Sequence, residues 1–289
     1  MRPLGDSSPV ESLFLPGSHD SATARVFFAP IGRCQSLAIG EQLAAGCRFF
    51  DLRLSIRREC LAAVHGPAPC YSQRPGAGGA PLYADEIFET FFSFLDGHPS
   101  ETALVSIQQD GIPDPVFRAI LYENYISPNE KYFYLENRFP ALGEVRGKLV
   151  LLRRFDTEPG VDDMTGGINV IDAWNHYAQK DAYPCVDAIP RCDGRGAVGT
   201  LCLQDAFKFS VKRKWERAVK PTIDRGRRPG ELYMNFLSCT GRISPLAAAI
   251  PINKKFLAEP TLRGGGIFVF DFFSRELAEK VIPFNYTET

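Results

Sequence analysis

Short, continuous apolar runs alternate along the chain with segments whose apolar residues recur at helical spacing. Runs of about 4–8 apolar residues are typical of strands buried on both faces, and spacings of three and four are typical of amphipathic helices. Strands are predicted at residues 12–17, 47–54, 61–66, 102–108, 148–154, 168–173, 201–205, 232–238 and 266–272. Helices are predicted at residues 36–46, 83–95, 113–124, 208–224, 245–257 and 274–281.

The order of these elements predicts the fold class. Because strands and helices alternate, a parallel sheet covered by helices is expected, and the fold class is α/β. The first strand is not followed by the Gly-x-Gly-x-x-Gly turn of dinucleotide-binding sheets, and the chain has no Gly-Lys-Ser/Thr phosphate loop. A closed TIM-type β/α barrel is therefore favoured over an open doubly wound sheet. No internal repeat and no low-complexity linker occurs, so residues 1–289 are predicted to form a single domain.

Composition narrows the classes of partner. The 33 Lys and Arg residues nearly balance the 34 Asp and Glu residues, so no overall charge points to nucleic acid. No apolar run approaches the roughly 20 residues that span a bilayer, and residues 1–8 lack the apolar core of a signal peptide. A soluble, monomeric chain is expected, and the sequence leaves both a secreted and a cytoplasmic location open.

The 8 cysteines are too few for a disulfide scaffold, and none forms a Cys-x-x-Cys pair. Four occur in apolar or tightly patterned surroundings and are predicted to be buried, reduced thiols: Cys34, Cys47, Cys202 and Cys239. Two further pairs close short loops that could be bridged in an oxidising compartment: Cys60 with Cys70, and Cys185 with Cys192. The sequence does not decide between the free and the bridged state of these two pairs.

Polar side chains are predicted at the C-terminal ends of several strands, where a β/α barrel carries its active site. They are His19, Asp20, Arg53, His65, Arg154, Asp205 and Asp271. Each has a structural explanation when taken alone: a histidine that ends a strand is often a satisfied structural residue, Asp51 and Arg53 suit an ion pair, and Asp205 suits a helix cap. Because polar side chains at the ends of buried strands cost stability unless they are paired or solvated, their combination favours one shared cleft.

Two histidines and an arginine around a cleft suit phosphoryl transfer. With an ordinary pKa of about 6.5, one imidazole can take a proton from an attacking hydroxyl while the other gives a proton to the leaving oxygen. An arginine offers a charged fork for the phosphate oxygens. His98 and His176 lack this pattern and are predicted to be surface residues.

Eight short motifs occur in a fixed order between residue 15 and about residue 285. They are Leu-Pro-Gly-Ser-His-Asp-Ser at 15–21, Arg-Phe-Phe-Asp-Leu-Arg at 48–53, Val-His-Gly-Pro at 64–67, His-Pro-Ser-Glu-Thr at 98–102, Arg-Gly-Lys-Leu-Val-Leu-Leu-Arg-Arg at 146–154, Leu-Gln-Asp at 203–205, Leu-Tyr-Met-Asn-Phe at 232–236 and Val-Phe-Asp at 269–271. In this order they resemble the bacterial-type phosphatidylinositol-specific phospholipases C, X-domain phosphodiesterases with an irregular barrel. The resemblance implies that the single domain is a catalytic barrel.

The resemblance also implies roles for the two histidines. His19 would be the general base, supported by Asp271, and His65 would be the general acid, supported by Asp51. The base would deprotonate the inositol 2-hydroxyl, which attacks phosphorus and expels diacylglycerol while His65 protonates the leaving oxygen. The product would be a cyclic inositol phosphate.

Further roles are implied for the residues that would surround the substrate. Arg53 would stabilise the charge that grows on the phosphate, and Asp20 would bridge Arg53 and the reacting hydroxyl. Arg154 and Asp205 match residues that hold inositol hydroxyls. Phe207 matches an aromatic ring under the sugar.

Two positions bear on metals and on the head group. Calcium-dependent relatives have a carboxylate where this chain has Arg53, whose guanidinium would repel a cation, so no metal and no cofactor are expected. Bacterial relatives place a lysine against the inositol after the strand at 102–108, where this chain has Gln108. Gln108 is expected to bind substrate by hydrogen bonding without the charge, so the head group can differ.

The expected partner is a phospholipid substrate at a membrane surface, to which the protein binds peripherally. The apolar residues that the loops offer to that surface are Phe27 and Phe28 after the first turn, and Ile243 with Leu246 further on. The two phenylalanines suit either insertion at the surface or packing under the loop. Two other functions fit the same residues. One is cleavage of another phosphodiester, such as a glycosylated inositol lipid or a sphingolipid head group, and the other is a catalytically silent barrel that binds lipid.

Overall fold

The computed structural model describes residues 1–72, 79–156, 166–171, 185–186, 200–225, 229–240, 243–263 and 266–286. The strands are β1 (Phe14–Ser18), β2 (Phe49–Arg57), β3 (Cys60–His65), β4 (Ala68–Pro69), β5 (Ala103–Gln109), β6 (Phe133–Tyr134), β7 (Leu149–Arg154), β8 (Ile168–Asn169), β9 (Cys185–Val186), β10 (Thr200–Gln204), β11 (Glu231–Phe236) and β12 (Gly266–Phe270). The α-helices are Ala29–Gly32, Ile39–Ala44, Ala84–Gly97, Asp114–Leu121, Leu142–Val145, Val211–Lys214, Lys220–Asp224, Pro245–Leu257 and Arg275–Val281. Two π-helical turns, Tyr122–Ile126 and Trp215–Val219, continue the helices that precede them.

The strands form one curled sheet in the order β6-β7-β5-β2-β1-β12-β11-β10-β9. The pairings from β6 to β10 are parallel, and β1 lies between β2 and β12, so the first and last strands are neighbours. Parallel strands joined by helices confirm the predicted α/β class and its irregular barrel architecture. Over the residues described, no ladder joins β6 or β8 to β9, so the sheet is a half-barrel.

The two faces of the sheet carry two separate layers of core. On the inner face, Phe49 and Val269 belong to one apolar cluster, built from alternate residues of the central strands. On the outer face, Phe50 and Phe270 pack with the covering helices in a second cluster. Since side chains alternate along a strand, the residues whose side chains point to the inner face occur at every second position. We call these residues the inner series of the strand.

One pair of predicted parallel strands is instead a hairpin. β2 does not end at Arg53 but continues to Arg57, and β3 returns antiparallel to it, with Leu54 opposite Ala63. The two residues of the connecting turn, Arg58 and Glu59, have φ of 50° and 67°, as a type I′ hairpin turn requires. Neither is Gly, Asn or Asp, so the residues of this turn carry no hairpin signal, and the prediction that strands and helices alternate is wrong at this point.

The cysteine predictions are confirmed in part. Cys34, Cys47 and Cys239 are buried free thiols as predicted, and Cys60 and Cys70 are also free.

The prediction for Cys202 is wrong, because this residue is disulfide-bonded. Its backbone pairs with that of Cys185 on the antiparallel strand β9, which the sequence pattern did not reveal. The side chain of Cys185 and all of Cys192 lie outside the described residues.

Other sequence predictions stand as follows. The helix predicted to stop at Gly46 does so, with Gly46 at φ 103°. His98 is exposed as predicted, while His176 lies outside the described ranges. No helix in the described part of the chain is both long and apolar enough to cross a membrane. The single-domain assignment and the monomeric state remain predictions.

Candidate active site

Nine of the ten predicted site residues line one cavity of about 370 Å³ at the C-terminal edge of the sheet. These nine are His19, Asp20, Arg53, His65, Gln108, Arg154, Asp205, Phe207 and Asp271. The tenth, Asp51, lies beneath them and is bonded to Arg154. The structure therefore brings all ten together, although their chemical roles remain predictions.

The inner series of the strands explains why these side chains meet. On β2 the series runs Phe49, Asp51, Arg53, and on β12 it runs from Val269 to Asp271. Register places Arg53 opposite Gln108 on β5. Each series changes from apolar to polar near the end of its strand, so the cavity has an apolar floor and a charged wall.

The turn after β1 is held to β2 by the serines of its motif. Ser18 Oγ donates to Ser21 Oγ at 2.7 Å, and Ser21 Oγ accepts from the backbone N of Asp51 at 2.8 Å. Asp20 in the same turn has a φ of 42°, in the left-handed region. The two serines are therefore structural, and they fix the direction in which His19 and Asp20 leave the strand.

His19 is oriented by the last strand of the chain. Its Nδ1 lies 2.7 Å from Asp271 Oδ1, and its backbone N donates to Phe270 O at 2.9 Å. Gln35 Nε2 donates to both His19 O and Phe270 O, at 2.7 and 2.9 Å, and so ties the ends of β1 and β12 together. With Nδ1 on the carboxylate, Nε2 is the nitrogen that faces the cavity, and the predicted pairing of His19 with Asp271 is present.

The predicted partner of His65 is corrected by the structure. His65 Nε2 lies 3.1 Å from Asp20 Oδ2, and Asp51 instead accepts from Arg154 Nη1 at 3.0 Å. The reason is depth: Asp51 is fully buried two residues below Arg53 on the inner series of β2, whereas His65 lies at the cavity wall. Asp51 therefore orients Arg154 and, through a 3.4 Å bond from the Asp20 backbone N, the turn after β1.

Asp20 is the point at which the charged groups of the wall converge. Its Oδ1 lies 2.7 Å from Arg53 Nε, close enough for an ion pair but without hydrogen-bond alignment. Its Oδ2 lies 3.3 Å from His19 Nε2 as well as 3.1 Å from His65 Nε2. One buried carboxylate thus serves both histidines and the arginine.

These contacts set the charge states of the wall. Burial disfavours the charged form of His19, but Asp20 and Asp271 outweigh that effect and raise the pKa of His19 above its ordinary value of 6.5. Burial also opposes ionisation of Asp20, yet His19 and Arg53 hold the pKa of Asp20 below its usual range. Burial raises the pKa of Asp205, against the opposing charge of Lys214.

Sequence reasoning missed several groups that shape the cavity. Cys34, Ser238 and Cys239 also line it, and Ser238 continues the inner series of β11 from Phe236. That two-residue step was a usable signal for Ser238. Ser238 Oγ and Gln108 Oε1 are buried without a hydrogen-bond partner among the described residues, so both can bond a hydroxyl that enters the cavity.

One group of possible metal ligands occurs at the site. Atoms of His19, Asp20 and Cys34 lie within 4.8 Å of one another. The guanidinium of Arg53 faces the same carboxylate at 2.7 Å, where it would oppose a bound cation. Metal independence remains the expectation drawn from Arg53.

Comparison with known proteins was made at the level of sequence and of structure. No family model matches the chain. It is 24% identical over 303 residues to a 1-phosphatidylinositol phosphodiesterase of Listeria monocytogenes, covering 99% of this chain and 84% of the relative. A protein of the same name from Staphylococcus aureus strain Newman is 27% identical over 256 residues, covering 82% of this chain and 74% of the relative.

Solved structures agree with this result. Phosphatidylinositol-specific phospholipase C from Listeria monocytogenes superposes with a TM-score of 0.72 at 21% identity, covering 100% of this chain and 98% of that one. The resemblance drawn from the motifs is confirmed. A Staphylococcus aureus phosphatidylinositol-specific phospholipase C, solved in a study of membrane binding, gives a TM-score of 0.73 at 22% identity over 96% and 95% of the two chains. The chain is thus similar over its length to bacterial enzymes of the phospholipase C type, and it shares their barrel fold.

Proposed function

We propose that this protein is a metal-independent phosphatidylinositol phosphodiesterase of the phospholipase C type. The observation that carries the proposal is the arrangement of two histidines and Arg53 around Asp20 in one cavity, with Asp271 behind His19. The names of the sequence relatives supply the substrate class.

The proposed reaction proceeds by proton transfer at the two Nε2 atoms. His19 Nε2, once neutral, accepts the proton of the inositol 2-hydroxyl, and that oxygen forms a bond to phosphorus. The bond from phosphorus to the glycerol oxygen breaks, and His65 Nε2 donates a proton to the departing oxygen. Diacylglycerol and a cyclic inositol phosphate result, and His19 and His65 have exchanged protonation states.

Arg53 would stabilise the negative charge that develops on the phosphodiester. The phosphodiester gains negative charge on its non-bridging oxygens as the new bond forms, and a guanidinium already fixed at the cavity wall stabilises that charge without reorganising. Arg154, Asp205 and Gln108 line the same cavity and offer both donors and acceptors to the hydroxyls of the head group. Phe207, 47% exposed at the rim, presents a ring to the sugar.

The exposed apolar residues at the rim of the cavity support the proposal that the substrate is part of a membrane. Phe27, Phe28 and Ile31 are 55%, 63% and 65% exposed. This exposure supports contact with a membrane surface by Phe27 and Phe28 over packing under the loop. The helix that carries Ile31 packs against the helix Pro245–Leu257, which adds exposed Leu246 and Ile250. We call these five residues the apolar rim. An apolar surface around a lipid-cleaving cavity fits peripheral binding to a bilayer, with the head group drawn into the cavity.

The test is incubation with phosphatidylinositol in excess EDTA, with the first product identified by ³¹P NMR. The wild-type protein is expected to release cyclic inositol phosphate. His19→Ala and His65→Ala are expected to lower the rate by about 10²–10⁴-fold each, as for lost general acid-base catalysis. His98→Ala is the matched control, since His98 is exposed and bonded to Phe94 O on its own helix.

Each outcome of this test has a definite meaning. Collapse of activity in EDTA would refute metal independence, and a linear phosphate as first product would refute attack by the 2-hydroxyl. Lipid binding without turnover would favour the silent barrel over the enzyme.

A second candidate substrate has one observation in its favour. Gln108 presents a buried, unpaired oxygen to the cavity and carries no charge. A neutral acceptor suits a hydroxyl-rich head group such as that of a glycosylated inositol lipid as well as inositol itself. Turnover measured on both lipids, and on a sphingolipid as the other alternative substrate, will rank them.

A further inference from the structure

Ser238 brings a buried hydroxyl to the cavity wall that the described part of the chain does not pair. The residue is 4% exposed and lines the cavity, yet its Oγ has no hydrogen-bond partner among the described residues. A buried polar atom without a partner costs free energy. Since a methyl group would fill the same position without that cost, the hydroxyl points to a partner that the cavity receives from outside.

The backbone around Ser238 is fixed on both sides. Leu237 N donates to Val269 O at 2.8 Å, which extends the pairing with β12 past the end of β11. Thr240 N donates to Phe207 O at 2.9 Å, on the segment that follows β10. The segment that carries the hydroxyl is therefore held in place before any substrate arrives.

The pairing of the strands gives the position of Ser238 along the cavity wall. Phe236 pairs with Val269 in a parallel ladder. Two residues further on, Ser238 therefore lies beside Asp271, since side chains on one face of adjacent strands are about 5 Å apart. In the sheet order β2-β1-β12-β11-β10, the polar residues that reach the cavity are Arg53, His19, Asp271, Ser238 and Asp205. Ser238 thus lies between Asp271, which holds the proposed base, and Asp205.

A ring contact brings the proposed base to the same place. The imidazole of His19 and the ring of Phe236 meet edge to face, with centroids 6.1 Å apart and planes at 84°. Phe236 belongs to the inner core cluster and is the residue directly below Ser238 in the inner series of β11. A hydroxyl that binds beside His19 and above Phe236 is therefore within reach of Ser238.

We infer that Ser238 is a specificity-determining residue that binds the 3-hydroxyl of the inositol ring. The inference rests on the proposed function, which places the phosphate on carbon 1 at Arg53 and the 2-hydroxyl at His19. The sheet order continues from these two residues to Ser238, as the ring continues from carbons 1 and 2 to carbon 3. A serine hydroxyl can both donate to and accept from the hydroxyl on that carbon.

The experiment measures binding of D-myo-inositol 1-phosphate by calorimetry, which needs no turnover. Ser238→Ala is expected to weaken binding about tenfold, the effect of one neutral hydrogen bond. The 3-deoxy analogue should bind the wild type about tenfold more weakly, and Ser238→Ala should cause no further loss with it. With the 4-deoxy analogue, Ser238→Ala should still cause the full loss.

Thermal melts separate this role from a structural one. Because the hydroxyl has no partner among the described residues, Ser238→Ala should keep or raise the Tm. Ser106→Ala is the matched control. Ser106 on β5 is fully buried and its Oγ also has no partner in the described chain, but it does not line the cavity. This control should bind D-myo-inositol 1-phosphate as the wild type does.

The alternatives are separable. Unchanged binding in Ser238→Ala, or an equal loss with the 3-deoxy analogue, would overturn the inference, as would a similar loss in Ser106→Ala. A loss that disappears with the 4-deoxy analogue instead would contradict the assignment to the 3-hydroxyl. A Ser238→Ala protein that melts at lower temperature or does not fold would show a structural role. The expected binding pattern without cleavage of phosphatidylinositol would refute the proposed enzyme and leave the inference standing.

Discussion

The pairing of His19 with Asp271 leads to the sharpest prediction, the effect of Asp271→Asn. The substitution keeps the shape of the side chain and removes its charge, 2.7 Å from His19 Nδ1. The bond from Asn253 Nδ2 to the backbone O of residue 271 does not depend on the side chain and should survive. The variant is therefore expected to fold and to lack only the carboxylate that orients His19, the proposed base.

The magnitude follows from the bond that is lost. A hydrogen bond to a charged group contributes about 1.5–3 kcal/mol, and 1.36 kcal/mol corresponds to one pKa unit. The pKa of His19 should fall by about 1–2 units in the variant, and the rate should fall by about 10²–10⁴-fold because the ring is no longer held in the productive tautomer.

The sign of the pH effect can be stated in advance. The proposed base, His19, must be neutral to act, so its raised pKa should place the acidic limb of the kcat/KM profile above pH 6.5 in the wild type. In Asp271→Asn that limb should move to lower pH while the maximum drops. The assay is cleavage of phosphatidylinositol in mixed micelles across the pH range. A lower maximum with an unmoved acidic limb would show that His19 and Asp271 are not the base unit.

Three further outcomes are expected. Phe27→Ser with Phe28→Ser should weaken binding to phosphatidylinositol vesicles about tenfold per residue. Cleavage of a soluble, short-chain phosphatidylinositol should be unchanged, and a loss on both substrates would contradict a rim role. Gly266→Ala should lower the free energy of unfolding by about 3 kcal/mol, because φ is 103° and a Cβ would clash with the backbone O of Tyr233. Gly97→Ala is the control in thermal melts, because a Cβ there would have nothing within 4 Å. Overnight dialysis against chelator should leave the rate of product formation unchanged. If the rate is lost and calcium restores it, the guanidinium of Arg53 is not the group that binds the phosphate.

Much of the site could be predicted because strand periodicity carries the information. A buried parallel strand shows its interior series at every second residue, and the polar residues that end that series lie at the cavity or just beneath it. Leu201, Leu203 and Asp205 follow this rule, as do Val150, Leu152 and Arg154 along β7. The rule needs no long-range information.

The pairings within the site could not be predicted in the same way. Periodicity places Asp51 and Arg53 on one face, but which cation each meets depends on how strands curl across the sheet. His65 reaches the wall on a hairpin whose turn at Arg58 and Glu59 uses left-handed backbone without glycine. Periodicity predicts no partner for His65; the resemblance implies Asp51, and the structure shows Asp20 instead.

Lys214 shows a different limit. It lies in a charged helical segment in which Lys212 and Arg213 are exposed, and composition alone predicts a solvated lysine there. Only the packing of that segment against β10 shows that its last residue points inward, to Gln204. The burial of a single charged residue in a basic helix depends on tertiary structure, and no local sequence pattern predicts it.

The position of Asp20 has a consequence for how the substrate would enter. His19 depends on the contact between β1 and β12, and His65 depends on the β2–β3 hairpin, yet the same oxygen of Asp20 lies 3.3 and 3.1 Å from their Nε2 atoms. A phosphate drawn to Arg53 would compete for the guanidinium that Asp20 now holds at 2.7 Å. A hydroxyl that approaches His19 would have to take the place of the same carboxylate. Binding of the phosphate and exposure of the proposed base, His19, would therefore be coupled through one side chain.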